Sequence, residues 1–157
     1  MFEAVSGVDF PSKYRRVPSL IWDDFEFRNF DYHTQNAYIF VHTHKNMSPL
    51  GVLQSSVSAL CDERSEHVKP TVFRRAIDSL TTAGWLWLPS KKSVPIIIEP
   101  KFLNTEPPTN PNQIKCWANI IRYLPQCDIL LYYLYEIIDS ADQFGEALAE
   151  PMREVLE

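Results

Sequence analysis

Six side chains carry the most legible chemistry in this chain: Lys69, Thr71, Arg74 and Arg75 in one segment, and Lys91 and Lys92 in the next. In VKPTVFRRAIDSLTTAG, residues Phe73, Ala76, Ile77 and Leu80 recur at i, i+3, i+4 and i+7, which predicts a helix half-buried on a core. Lys69, Thr71, Arg74, Arg75 and Asp78 fall on its other face. An arginine fork pairs bidentately with a guanine edge or clamps a phosphate. Gly84 sits where a helix C-terminus wants positive φ. Trp85–Leu88 and Val94–Ile98 then predict two strands joined by Pro89-Ser-Lys-Lys-Ser93, a turn whose lysines suit phosphate contact or minor-groove insertion. Each feature has a plainer reading: the arginine pair as a solvated helix face, the lysine tip as a solubilising turn that discourages edge pairing. Motif and basic patch together favour DNA contact.

Other chemistries find less support. His33, His42, His44 and His67 come without Cys-x-x-Cys or His-Glu-x-x-His spacing, so they are expected as surface or core histidines with no metal. His42 and His44 would point to different faces of a helix. There is no nucleophile elbow and no glycine-rich phosphate loop; the chain has four glycines. The acid pairs Asp23-Asp24 and Asp62-Glu63 are better explained by capping and solvation. These absences predict a non-enzymatic protein without a cofactor. Trp85 and Trp87, two apart on a strand, would share a face that belongs to the core, although tryptophans also serve as stacking platforms for single strands.

The net charge of −5 is unevenly spread. Residues 1–123 hold 14 Lys and Arg against 12 Asp and Glu, whereas residues 124–157 hold Arg153 alone against 8 acids. Between 64 and 101 there are 7 basic residues and 3 acids. Positive charge thus gathers on the predicted helix and turn, and the acidic end suits a basic partner or repels DNA from the opposite side. Hydrophobic content of 45% excludes a disordered chain. No apolar run reaches the roughly 20 residues of a membrane helix, and MFEAVSGVDF lacks the features of a secretory signal. Three scattered cysteines, Cys61, Cys116 and Cys127, argue for a reducing, cytoplasmic setting in which each packs as a small hydrophobe.

These elements need a frame. Residues 1–17, with Lys13, Arg15 and Arg16, are expected as an N-terminal arm. Pro18 opens a short helical turn pinned by Leu20, Ile21 and Trp22. Asp31 or Thr34 caps a helix reaching about His44. Pro49–Leu53 enters a short strand able to pair with the later hairpin, and Ser55 or Ser56 caps a helix with Val57, Leu60 and Cys61 inward. The order helix, strand, helix, helix, strand, strand fills residues 31–98. Residues 101–112, rich in proline, predict a loop without regular helix. Residues 113–157 form a helical extension. Trp117, Ile120, Ile121 and Leu124 face inward on its first helix. An apolar helix over 129–138, capped by Asp128, follows. A last helix runs from about Ala141 to Leu156, kinked or split at Pro151.

The segments RRVPSLIWDDFEF, YHTQNAYIFVHTHKNMSPLGVL, LTTAGWLWL and VPIIIEPKFLNTEPPTNPNQIKCW resemble the N-terminal winged-helix domains of phage and mobile-element replication initiators, the replisome-organiser or DnaD-like group. The likeness spans about residues 15–125. It implies an α+β, mostly helical fold: a winged helix-turn-helix over 18–100 with a C-terminal helical extension. It further implies binding of double-stranded origin repeats through Arg74, Arg75, Lys91 and Lys92, with self-association as a homodimer. That family usually carries a further domain that recruits a replicative helicase or its loader; this chain lacks that module or is the N-terminal piece of a longer protein. A winged-helix transcription regulator and a winged-helix protein-interaction module are the alternatives. The expected partners include no membrane.

Overall fold

The computed structural model describes residues 15–157, so Lys13 and the rest of segment 1–14 lie outside the described residues. The fold is α+β and mostly helical. A 3-10 turn at Ser19–Asp23 leads into a five-residue helix, α1 (Phe25–Asn29), which the sequence reading missed. Asp24 caps α1 by accepting from the Phe27 amide at 2.8 Å. Of the three residues expected to pin the turn, only Ile21 is buried; Leu20 and Trp22 are 72% and 58% exposed. A three-residue period turns one side chain in three inward.

The next helix, α2 (Tyr32–His42), starts where Asp31 accepts from the Thr34 amide. It packs along α4 (Pro70–Thr82), with α3 (Val57–Arg64) beside it and Ser56 as the α3 cap. Phe73, Ala76, Ile77 and Leu80 of α4 are all buried, as their spacing predicts. Burying a large apolar side chain contributes roughly 1.5–3 kcal/mol, so this stripe anchors the helix.

The expected strands are much shorter in the structure. β1 (Val52–Leu53) pairs antiparallel with β2 (Ile97–Ile98), Val52 opposite Ile98. From the other side only Trp87 joins, through a two-way amide–carbonyl exchange with Ile98 at 2.8 and 3.0 Å. The reason lies in the end of α4. Gly84, at φ +80°, donates to the Thr81 carbonyl, and the Trp85 and Leu86 amides both turn back to Leu80. These bonds close a Schellman-type cap and use amides that a strand would need. Pro89 and Pro95 have no amide to offer a ladder.

The segment expected as irregular winds one helical turn before its prolines begin, α5 (Phe102–Thr105), with Phe102 fully buried. The extension follows as α6 (Pro111–Arg122), α7 (Asp128–Asp139) and α8 (Glu146–Leu156). Asn110 caps α6. Asp128 is the first residue of α7 and makes no side-chain cap; Cys127 holds that position. The last helix splits at Gly145, φ +90°, after a 3-10 turn over Ala141–Phe144, and not at Pro151, which lies inside α8. The amide missing at Pro151 forfeits one hydrogen bond, which the buried Ala149 and Met152 on either side offset. Cys61 is buried as expected, Cys127 is half-buried, and Cys116 is exposed. Among the described residues, no helix is long and apolar enough to cross a membrane.

Gly51 is the point at which the extension meets the rest. Its φ is +84°, and a Cβ there would stand 2.5 Å from the Phe102 Cβ and 2.9 Å from the Tyr133 hydroxyl. That hydroxyl donates to the Leu50 carbonyl at 2.7 Å. At Gly84 a Cβ would meet nothing within 4 Å. Gly51→Ala is therefore expected to cost about 3 kcal/mol, from left-handed strain plus overpacking. Gly84→Ala is expected to cost about 1 kcal/mol, from strain alone. Urea denaturation of the two variants checks the difference.

Candidate nucleic-acid interface

All six residues singled out from the sequence are exposed. Lys69 is the N-cap residue of α4, and its side chain caps nothing. Pro70 occupies N1, and the first turn contains no acid. A cation at the positive end of a helix dipole is locally unfavourable, and an anion brought to that end relieves it. Thr71, Arg74 and Arg75 follow on the outward face. Arg74 Nη2 donates to Ser58 Oγ at 2.7 Å, which ties it to the start of α3.

Lys91 and Lys92 lie in the turn between Trp87 and β2, closed by the Val94 amide donating to the Lys91 carbonyl at 3.0 Å. Pro89 is buried, so the turn is seated on the body. A cleft of about 180 Å³ separates it from α3 and α4. Arg74 and Lys92 both line this cleft, along with Ser56, Ser58 and Asp78. The structure thus brings Arg74 and Lys92 to one concavity. Lys91 faces a different one, lined also by Cys127, Asp128 and Ile129 at the start of α7. Lys69, Thr71 and Arg75 line neither cleft.

The structure takes one charge of each sign out of the sequence count for this segment. Of the acids between 64 and 101, Glu99 is buried, 2% exposed. Arg64 is turned toward α2, donating to Asn36 and lying over the Phe40 ring. What remains outward is Lys69, Arg74, Arg75, Lys91, Lys92 and Lys101 against Glu66 and Asp78, with Lys101 set apart beside Asp24 in another cavity.

Trp85 and Trp87 are half-buried and serve different neighbours. Trp85 packs with Phe27, Phe30 and Tyr38, and Trp87 with Tyr132 and Tyr133. Both are packing residues, and the shared face expected of a strand pair is absent because Trp85 is not in a strand.

Sequence reading missed a buried polar cluster. His42 Nδ1 lies 2.8 and 2.9 Å from the two Glu99 oxygens, and Tyr38 donates to the same carboxylate at 2.8 Å. His42 Nε2 reaches the Arg16 carbonyl at 2.6 Å. A glutamate ending the apolar run Pro95–Ile98 was the one available signal. His44 pairs instead with Glu63. Burial pulls the His42 pKa down, but the Glu99 hydrogen bond and charge and the Arg16 carbonyl outweigh it and leave it above the ordinary histidine value. The Tyr38 and Tyr133 phenols are pushed far up by burial and by the Glu99 charge, so both remain protonated. Among the described residues, no group of three His, Cys, Asp or Glu could hold a metal ion.

No protein-family model matches this chain, and no curated protein and no solved structure matches it.

Because the folded His42 pKa is raised, its contribution to stability is fully present below the unfolded value of about 6.5 and is lost as pH rises through the folded value. Urea midpoints are expected to fall over that window in the wild type. Glu99→Gln is expected to cost about 3–5 kcal/mol at pH 6 by breaking a buried pair, and to flatten the decline.

Proposed function

We propose that this chain is a sequence-specific double-stranded DNA-binding protein of winged-helix type, with no reaction of its own. The observation that carries the reading is the cleft onto which Arg74 of α4 and Lys92 of the turn both open, flanked by the further exposed cations Lys69, Arg75 and Lys91. The strand order supports the winged-helix assignment. β2 lies between β1 and Trp87, and the lysine turn connects Trp87 to β2 in the place of a wing.

On this reading the outward face of α4 enters the major groove. Arg74 and Arg75 supply the planar donor forks that distinguish guanine. Lys69, near the positive end of α4, and Lys91 and Lys92 on the wing neutralise phosphates and set the register. Asp78, beside Arg74 in the cleft, disfavours a phosphate there and leaves the guanidinium directed at a base edge or a sugar.

Self-association fits the outer side of α7, where Leu131, Tyr132 and Tyr135 are 55%, 55% and 64% exposed. A symmetric dimer would then read half-sites about 34 Å apart or a multiple of that. The likeness to phage and mobile-element replication initiators makes origin repeats the proposed target and a helicase or its loader the proposed downstream partner. A transcription regulator would use the same groove chemistry, and the genomic position of the selected sites separates the two.

The test is selection of duplexes from a random-sequence pool, followed by fluorescence anisotropy across a salt series. A defined motif should emerge. Arg74→Ala/Arg75→Ala should lose at least about 30-fold in affinity for it. Lys91→Ala/Lys92→Ala should weaken all sequences alike and flatten the salt slope by about two. A folded protein that selects no sequence and binds no duplex at low salt would overturn the reading.

A further inference from the structure

A second surface, remote in sequence from the basic face, has the opposite character. Of the large hydrophobic side chains left exposed among the described residues, Leu20, Trp22, Phe25 and Tyr32 fall within thirteen residues, at 72%, 58%, 81% and 74% exposure. Their helical turns also carry Asp23, Asp24, Glu26 and Asp31 against Arg28, a net charge of −3 over residues 18–33. Single exposed hydrophobics are ordinary, whereas a cluster of large ones marks a contact surface.

Beside this ridge is a cavity of about 280 Å³ walled by Leu20, Ile21, Tyr38 and Trp85, with the Glu99 carboxylate in its lining. That carboxylate already accepts from Tyr38 and His42, so an occupant need not supply a donor to it. Lys101, the cation in the lining, is offset there by Asp24 and Glu99. The volume lies just below the roughly 300–1,000 Å³ of drug-sized ligand sites and suits one bulky side chain.

Two of the acids, Asp24 and Glu26, are held in place before anything binds. Asp24 accepts from the Phe27 amide, and Glu26 accepts from the Trp85 indole N–H. Fixed charges cost little ordering on association. Their sign repels nucleic acid and anionic lipid and attracts a basic protein segment.

We infer that the Leu20–Trp22–Phe25 ridge and the adjoining cavity form a docking surface for a basic amphipathic segment of another protein, which seats one large apolar side chain in the cavity and places lysines or arginines against Asp23, Asp24 and Glu26. This surface works independently of the α4 face.

The experiment pans a phage-displayed library of random 16-residue peptides on the full chain. The enriched peptides are then synthesised and measured by anisotropy. They are expected to carry an excess of lysine and arginine around a bulky apolar residue. Affinity should fall at least about tenfold in Trp22→Ala/Phe25→Ser. It should fall several-fold in the folded, single-site variant Asp23→Lys, and it should be unchanged in Arg74→Ala/Arg75→Ala. Peptides without basic excess, equal binding by wild type and the ridge variants, or no enrichment would each overturn the inference. So would sedimentation showing a wild-type dimer that the ridge variants convert to monomer, since a second copy would then be the occupant. Loss of peptide binding in the α4 variant would overturn it too, by moving the site to the basic face.

Discussion

The carboxylate of Glu99 is the constraint on which the rest of the structure depends. It sits between β2 and α5, is almost completely buried, and would be untenable there without partners. α2 supplies them: the Tyr38 hydroxyl and the His42 imidazole, one turn apart on the same helix face. The Glu99 amide meanwhile donates to the Gly51 carbonyl, which extends the short β1–β2 ladder by one bond. Through His42 the cluster also fixes the chain at Arg16, where the amide of that residue meets Glu106. One side chain therefore sets the distance between α2, the sheet and the segment entering the extension. Gly51 then permits Phe102 and Tyr133 to close on the other side.

With the core fixed in this way, two surfaces of opposite sign face solvent from different elements. α4 keeps its apolar stripe against α2 and turns its cations out, and the turn held by Pro89 carries two more. The turns before α2 expose aromatic rings among acids, although Phe27 and Trp85 lie directly beneath them. Burial of Glu99 takes an acid out of the basic face, and the turning of Arg64 toward α2 takes a cation out of it, so the separation rests on the cations of α4 and of the lysine turn.

Much of the frame was legible from local rules. The caps at Asp31 and Ser56, the α4 stripe, the glycine stop at Gly84 and the pairing of 52–53 with the later strand all follow from side-chain type and spacing. The errors share a cause. Trp85 and Leu86 look like strand residues by composition, but their amides were needed to finish α4. Leu20 and Trp22 look like core residues by hydropathy, but the 3-10 turn directs only Ile21 inward. Pro151 looks like a helix break, but Gly145 had already supplied one six residues earlier.

By itself the sequence determined the longer helices α2, α3, α4, α6 and α7, the glycine stop of α4, and which six residues stay at the surface as candidate contacts, because capping, periodicity and charge act over a few residues. Only the tertiary structure decided that Arg74 and Lys92 share a cleft while Lys91 faces another, and that His42 finds Glu99 57 residues away. Those outcomes depend on how helices cross and on which distant group can neutralise a buried charge, and no local pattern encodes either.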